Sequence, residues 1–178
     1  MKKLWAPWRM TYIAGIDKKD EGCIFCTKPG GKKYRKKKDR ENLILHRGKQ
    51  CFVIMNLFPY NNGHLMVVPY AHAADIGAID KNTSGELWDL VCLCRKALTE
   101  TLHPDGFNIG INLGRTAGAG IDTHLHVHIV PRWNGDTNFM PVLGEAKVIS
   151  QALHETYDAL LPVFRSAAGT GSAASSPR

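Results

Sequence analysis

The run His124-Leu125-His126-Val127-His128-Ile129 alternates imidazole with aliphatic side chains, and this period of two constrains the fold more than any other stretch of the chain. Successive side chains of an extended strand point to opposite faces. The run therefore predicts a strand, closed by Pro131, with the three histidines on one face and Leu125, Val127 and Ile129 on the other. Imidazoles about 6.5 to 7 Å apart on one face are costly to bury and pack poorly, so three in register point to chemistry. Two chemistries fit. Alternating histidines can ligate a metal. A neutral imidazole can also attack phosphorus, which splits one difficult displacement into two easier ones. Such a nucleophile needs one ring nitrogen free and the other hydrogen-bonded to fix its tautomer, and His126, flanked by two histidines, is the natural candidate.

The rest of the chain supplies a sheet for that strand. Leu43-Ile44-Leu45, Cys51 to Met55, His64 to Pro69 and the alternating Phe107 to Leu113 read as strands, and Asn61-Asn62-Gly63 reads as a turn. Apolar residues recur every three or four positions from Thr83 to Leu102, which predicts one long helix capped by Thr83 or Ser84 and stopped at His103-Pro104-Asp105-Gly106. A last helix is expected from about Glu145 to Phe164. Hairpins interrupted by one long helix imply an α+β domain built on an antiparallel sheet. The division expected is an aromatic lead-in over 1–21, a domain over 22–165 and a disordered tail over 166–178.

Charge and cysteine usage narrow the function. The net charge of +7 lies wholly in residues 28–40, which hold eight Lys or Arg and one Asp. A solvated loop is the reading favoured there, and nucleic acid is a possible but not a favoured partner. No apolar run approaches the roughly 20 residues that span a membrane, and none follows the charged N-terminus as a signal peptide requires, so a cytoplasmic protein is expected. Cys23 and Cys26 form a C-x-x-C, which in a reducing compartment points to metal or redox chemistry. Cys92 and Cys94 read as small core residues of the long helix. Gly114 to Gly120 is a loop of small residues whose backbone N–H groups can approach an anion closely. Near it, His64, Asn56 and Asn112 stand at strand ends with groups able to meet phosphate or ribose.

Together, His124-Leu125-His126-Val127-His128-Ile129-Val130, Gly63-His64-Leu65-Met66-Val67-Val68-Pro69 and Gly22-Cys23-Ile24-Phe25-Cys26 resemble, in order, three motifs of the histidine triad superfamily. Leu4 to Met10, Asn108 to Gly114 and Pro131-Arg132-Trp133 with Gly135 to Phe139 are similar to its bacterial diadenosine tetraphosphate phosphorylase branch. The resemblance implies a nucleotidyl transferase or hydrolase, dimeric or larger, with His126 as nucleophile and His128 and His64 as its phosphate-side partners. It places Asn56 near the ribose and Asn112 near the phosphates. It also implies that His72 and His124 complete a structural zinc site with Cys23 and Cys26, with His46 and His103 as reserves. The loop Ala117-Gly118-Ala119-Gly120 departs from the family's Ala-Gly-Gln, and the backbone N–H groups around Gly118, Ala119 and Gly120 are expected to replace the missing side-chain donor.

The function expected is cleavage of a dinucleoside polyphosphate, diadenosine tetraphosphate, by phosphate or water through a nucleotidyl-histidine, with no catalytic metal or organic cofactor required. The alternatives are hydrolysis of an adenosine phosphoramidate or another nucleotide conjugate and, from a different class, a non-catalytic nucleotide- or RNA-binding module.

Overall fold

The structure, a computed structural model, describes residues 22–30, 38–136 and 151–170. Its elements run α1 (Ile24–Thr27), β1 (Ile44–Arg47), β2 (Cys51–Met55), β3 (Leu65–Pro69), α2 (Lys81–Leu102), β4 (Gly106–Ile111), β5 (Val127–Arg132) and α3 (Leu153–Thr170), with 3-10 turns at Ile76–Ala78 and Arg115–Ala117. The strands form one sheet in the order β1-β2-β3-β5-β4, and every pairing is antiparallel. This is the α+β architecture expected from the alternation of hairpins with one long helix.

Register assigns the two faces. Val53 pairs with Val67, Val67 with Val127 and Leu65 with Ile129, so these residues share a face. Cys51 lies on it too, and its thiol reaches the Thr83 carbonyl of α2 at 3.7 Å. The long helix therefore covers this side. Its buried Leu87, Leu90, Val91, Cys94, Ala97 and Leu98 recur every three or four residues along one stripe. The opposite face carries Phe52, Ile54, Met66 and His128 by the same register.

Several boundaries differ from the sequence reading. The cap of α2 is Asp80, whose carboxylate accepts from the Thr83 N–H and hydroxyl, both at 2.9 Å. Cys92 is exposed, while Cys94 is buried as expected. β5 begins only at Val127, because the ladder with β3 runs out at Pro69: its nitrogen has no hydrogen to donate, and its carbonyl is taken by the His124 ring. Of the three alternating histidines, only His128 is thus in a strand. β5 also runs through Pro131 to Arg132, since beyond the Leu65–Ile129 pair it is flanked by β4 alone and a proline nitrogen can face outward. The last helix starts at Leu153 and continues to Thr170, past Ser166, where a disordered tail was expected. Ala167 and Ala168 are strong helix formers, and composition alone hid that. The lead-in 1–21, most of the basic stretch (31–37), positions 145–150 and the tail from 171 lie outside the described residues.

Gly63 fixes the height of the loop before β3. It has φ +74°, and a Cβ there would lie 2.6 Å from Leu102 Cδ1 and 3.0 Å from Leu98 Cδ2 of α2. The loop thus sits directly on the end of that helix. No described helix is long and apolar enough to cross a membrane.

Candidate active site

Hydrogen bonds assign the tautomer of each key histidine. His126 Nδ1 lies 2.8 Å from the His124 carbonyl oxygen. A carbonyl only accepts, so Nδ1 carries the hydrogen and Nε2 presents its lone pair. Burial pushes the pKa of His126 down, which keeps the ring neutral near pH 7. A neutral imidazole with one nitrogen hydrogen-bonded and the other bare meets the requirement stated for a nucleophile.

A chain of donors ends beside it. The Tyr60 backbone N–H donates to His64 Nδ1 at 3.1 Å, so His64 carries its hydrogen on Nε2. That nitrogen lies 2.9 Å from His128 Nδ1 and donates to it. His128 is left with its hydrogen on Nε2, which is buried and has no partner among the described residues. A buried donor without an acceptor costs free energy unless a ligand supplies one. The His126 and His128 rings are 4.7 Å apart between centroids, so the ring that carries this donor packs against the ring of His126. Burial and the neighbouring histidines push His64 down to about 3, and burial with His126 pushes His128 down to about 4, so the chain is neutral at physiological pH.

This geometry separates groups that the sequence placed together. His64 was expected to meet phosphate, yet both of its ring nitrogens are engaged and it is 1% exposed. It orients His128. Asn56, expected near ribose, points its Nδ2 at His64 Nδ1 (3.3 Å) and accepts from the Phe58 N–H at 3.0 Å. Asn112 stands just past β4, one residue beyond the pair of Ile111 with Val127 that ends the ladder next to His126. The Gly118 N–H donates to the Arg115 carbonyl at 2.9 Å, closing its own turn, so of the three amides expected there Gly118 is already engaged.

A second cluster lies on the other side of His124. Ligand atoms of Cys23, Cys26, His72 and His124 fall within 4.8 Å of one another. Cys23 Sγ is 3.2 Å from His124 Nδ1, Cys26 Sγ is 3.3 Å from His72 Nδ1, and the two Nδ1 atoms are 3.2 Å apart. A tetrahedron with Zn–N of about 2.0 Å and Zn–S of about 2.3 Å has edges of roughly 3.3 to 3.8 Å, close to this spacing. His124 Nε2 donates to the Pro69 carbonyl at 2.9 Å, which frees Nδ1 for a metal and fixes the ring plane. The four residues fit a tetrahedral thiophilic ion. His46 and His103, the reserves, are not in the cluster.

Sequence reasoning missed three contributors. Tyr60 supplies the amide that sets the donor chain, and its ring stacks on His128 at 5.8 Å. The Pro69 carbonyl orients His124, and Phe25 packs against both His124 and His126. Backbone donors leave no mark in a sequence. Phe25 did leave one, since it sits between the two cysteines.

An imidazole with a bare nitrogen, a histidine donor at its side and a cysteine-histidine cluster behind them is the arrangement of a histidine triad domain, and residues 37–135 match the HIT domain. The chain belongs to the HIT domain family. It is 39% identical over 157 residues to the AP-4-A phosphorylase of Mycobacterium tuberculosis, spanning 88% of this chain and 80% of that protein. It is 29% identical over 112 residues to adenosine 5'-monophosphoramidase hnt1 of Schizosaccharomyces pombe, 63% of this chain and 75% of that one. Among solved structures, a Zn-bound histidine triad family protein from Mycobacterium smegmatis superposes with a TM-score of 0.62 at 23% identity, covering 84% of this chain and 97% of that chain.

Proposed function

We propose that this chain cleaves a dinucleoside polyphosphate, diadenosine tetraphosphate, through a covalent nucleotidyl-His126 intermediate. The observation that carries the reading is the His126 tautomer: Nδ1 is tied to the His124 carbonyl and Nε2 is bare. The Nε2 lone pair attacks phosphorus, and the leaving polyphosphate departs with the electron pair of the broken P–O bond. The buried His128 Nε2–H donates to a phosphate oxygen as charge builds there. The amides of Ala119 and Gly120 and the Asn112 side chain hold the remaining oxygens. Phosphate or water then displaces Nε2. The likeness to the mycobacterial AP-4-A phosphorylase supports the substrate class.

The likeness to the fission-yeast phosphoramidase supports the second reading, hydrolysis of an adenosine phosphoramidate by the same histidine. One incubation separates them. Diadenosine tetraphosphate supplied with phosphate should give ADP and ATP, and with water alone AMP and ATP. Turnover of the phosphoramidate only would favour the second reading.

Zinc at Cys23, Cys26, His72 and His124 fastens α1 to the sheet and keeps the His124 carbonyl in place under His126; the donor set and its spacing support this. The chain forms a dimer through β4, which has a neighbour on one side only. Ile109 on β4 is exposed on the helix-side face, beside a cleft of about 400 Å³ lined by Ile76, Trp88 and Ile111, and these residues support a second copy there. Light scattering at micromolar concentration tests the dimer, with Ile109→Lys expected to yield monomer.

A further inference from the structure

His126 has one electrostatic need that the groups described above do not meet. When its Nε2 bonds to phosphorus the ring keeps the hydrogen on Nδ1, so the imidazolium ring carries a positive charge, with the phosphoryl's negative charge on oxygens beyond the P–N bond, until the acceptor oxygen displaces it and the ring returns to neutral. That charge forms at a side chain 5% exposed, where solvent screens little. Among the described residues its hydrogen-bond partner is the His124 carbonyl, and no carboxylate pairs with it. The neighbouring His128 and the His64 behind it are neutral.

The remaining neighbour is an aromatic ring. Phe25, 2% exposed, has its ring centroid 5.1 Å from that of His126 with the planes inclined at 43°. A cation within about 6 Å of a phenyl centroid is attracted by the ring's quadrupole, more strongly when both are out of water. We propose that Phe25 stabilises the cationic nucleotidyl-His126 intermediate, a cation–π contact that the metal-binding knuckle holds in place. The contact rests on the covalent reading above. It favours the charged intermediate over the neutral resting ring, so it lowers the barrier to the first displacement and leaves substrate binding nearly untouched.

The knuckle explains the placement. Phe25 lies in the single turn of α1 between Cys23 and Cys26, and its ring also makes a T-shaped contact with His124 at 5.5 Å and 68°. Two residues of the cluster thus bracket the ring that packs against His126, while a third supplies the carbonyl that fixes its tautomer.

The test replaces Phe25 in the full chain by mono-, di- and trifluorinated phenylalanine, near-isosteric rings of decreasing quadrupole, and by Leu. For each variant kcat, KM, zinc content and the amount of nucleotidyl-His126 trapped by a denaturing quench at alkaline pH, where the P–N bond survives, are measured. The expected result is a graded fall in kcat along the fluorine series, reaching about tenfold for Phe25→Leu, with KM and zinc content unchanged. A flat series with zinc retained would overturn the proposal, as would a Leu variant with normal kcat. Wild-type turnover without label on His126 would overturn the covalent reading instead, so the two failures are told apart.

Discussion

His124 and His126 stand two residues apart and use opposite ring nitrogens. His124 donates from Nε2 to the Pro69 carbonyl and offers Nδ1 to Cys23, Cys26 and His72; His126 donates from Nδ1 to the His124 carbonyl and offers Nε2 to the open side. The side chains are chemically identical, and the acceptor each one finds decides its role. A carbonyl at a strand end leaves one histidine with Nδ1 free for a metal. A carbonyl two residues back leaves the next with Nε2 free to attack, as the proposed mechanism requires. The two regions are also in series, since the backbone oxygen that fixes His126 belongs to the residue that the cluster fixes.

The comparison can be broken most severely at His126. His126→Ala should lower turnover by at least about a thousandfold while nucleotide binding, measured by calorimetry, persists; normal turnover would dismiss the nucleophile. Next in size is Cys23→Ser, which should release the metal and cost about 3 kcal/mol or more, about 10 °C in Tm. Calorimetric scans with metal analysis check this, and an unchanged Tm in a metal-free variant would remove the cluster's structural role.

Replacing His64 sharpens the division of labour on the open side. His64→Ala deprives His128 Nδ1 of its donor, so kcat should fall by about ten- to a hundredfold with KM little changed. A rise in KM at constant kcat would restore the phosphate contact that the sequence suggested. Acid stability reads the same two histidines in a different way. An imidazole whose pKa falls on folding is protonated first in the unfolded chain, so stability declines as pH drops below the ordinary 6.5, down to about 4 for His128 and about 3 for His64. Urea midpoints between pH 7.5 and 4 should fall with acid, and less steeply in His64→Asn.

Much of this was legible because side chains of one type recur at fixed spacing. The period of two placed β4 and β5 within a few residues, an apolar run closed by Pro69 placed β3, and the spacing of Leu87 to Leu98 gave α2 and its buried stripe. The cysteine pair, the triad and, through family resemblance, His72 named the cluster. What escaped depends on the backbone. The strand stops short of His126 because Pro69 lacks a hydrogen, and Asp80 outcompetes Thr83 and Ser84 as cap because it can accept two bonds at once. His64 changes role because an amide at Tyr60 claims its Nδ1. None of these carbonyls and amides has a letter of its own in a sequence.

The contact beneath Gly63 has a practical side for anyone who reshapes this site. The loop from Tyr60 to His64 rests on Leu98 and Leu102 with no room for even a methyl group. Position 63 is therefore closed to libraries, and the far end of α2 becomes a remote adjustment screw: trimming Leu102 to Ala should let the loop settle, moving His64 and, through it, the donor on His128 relative to His126. Substrate preference could be tuned from a residue that touches neither substrate nor any histidine of the site.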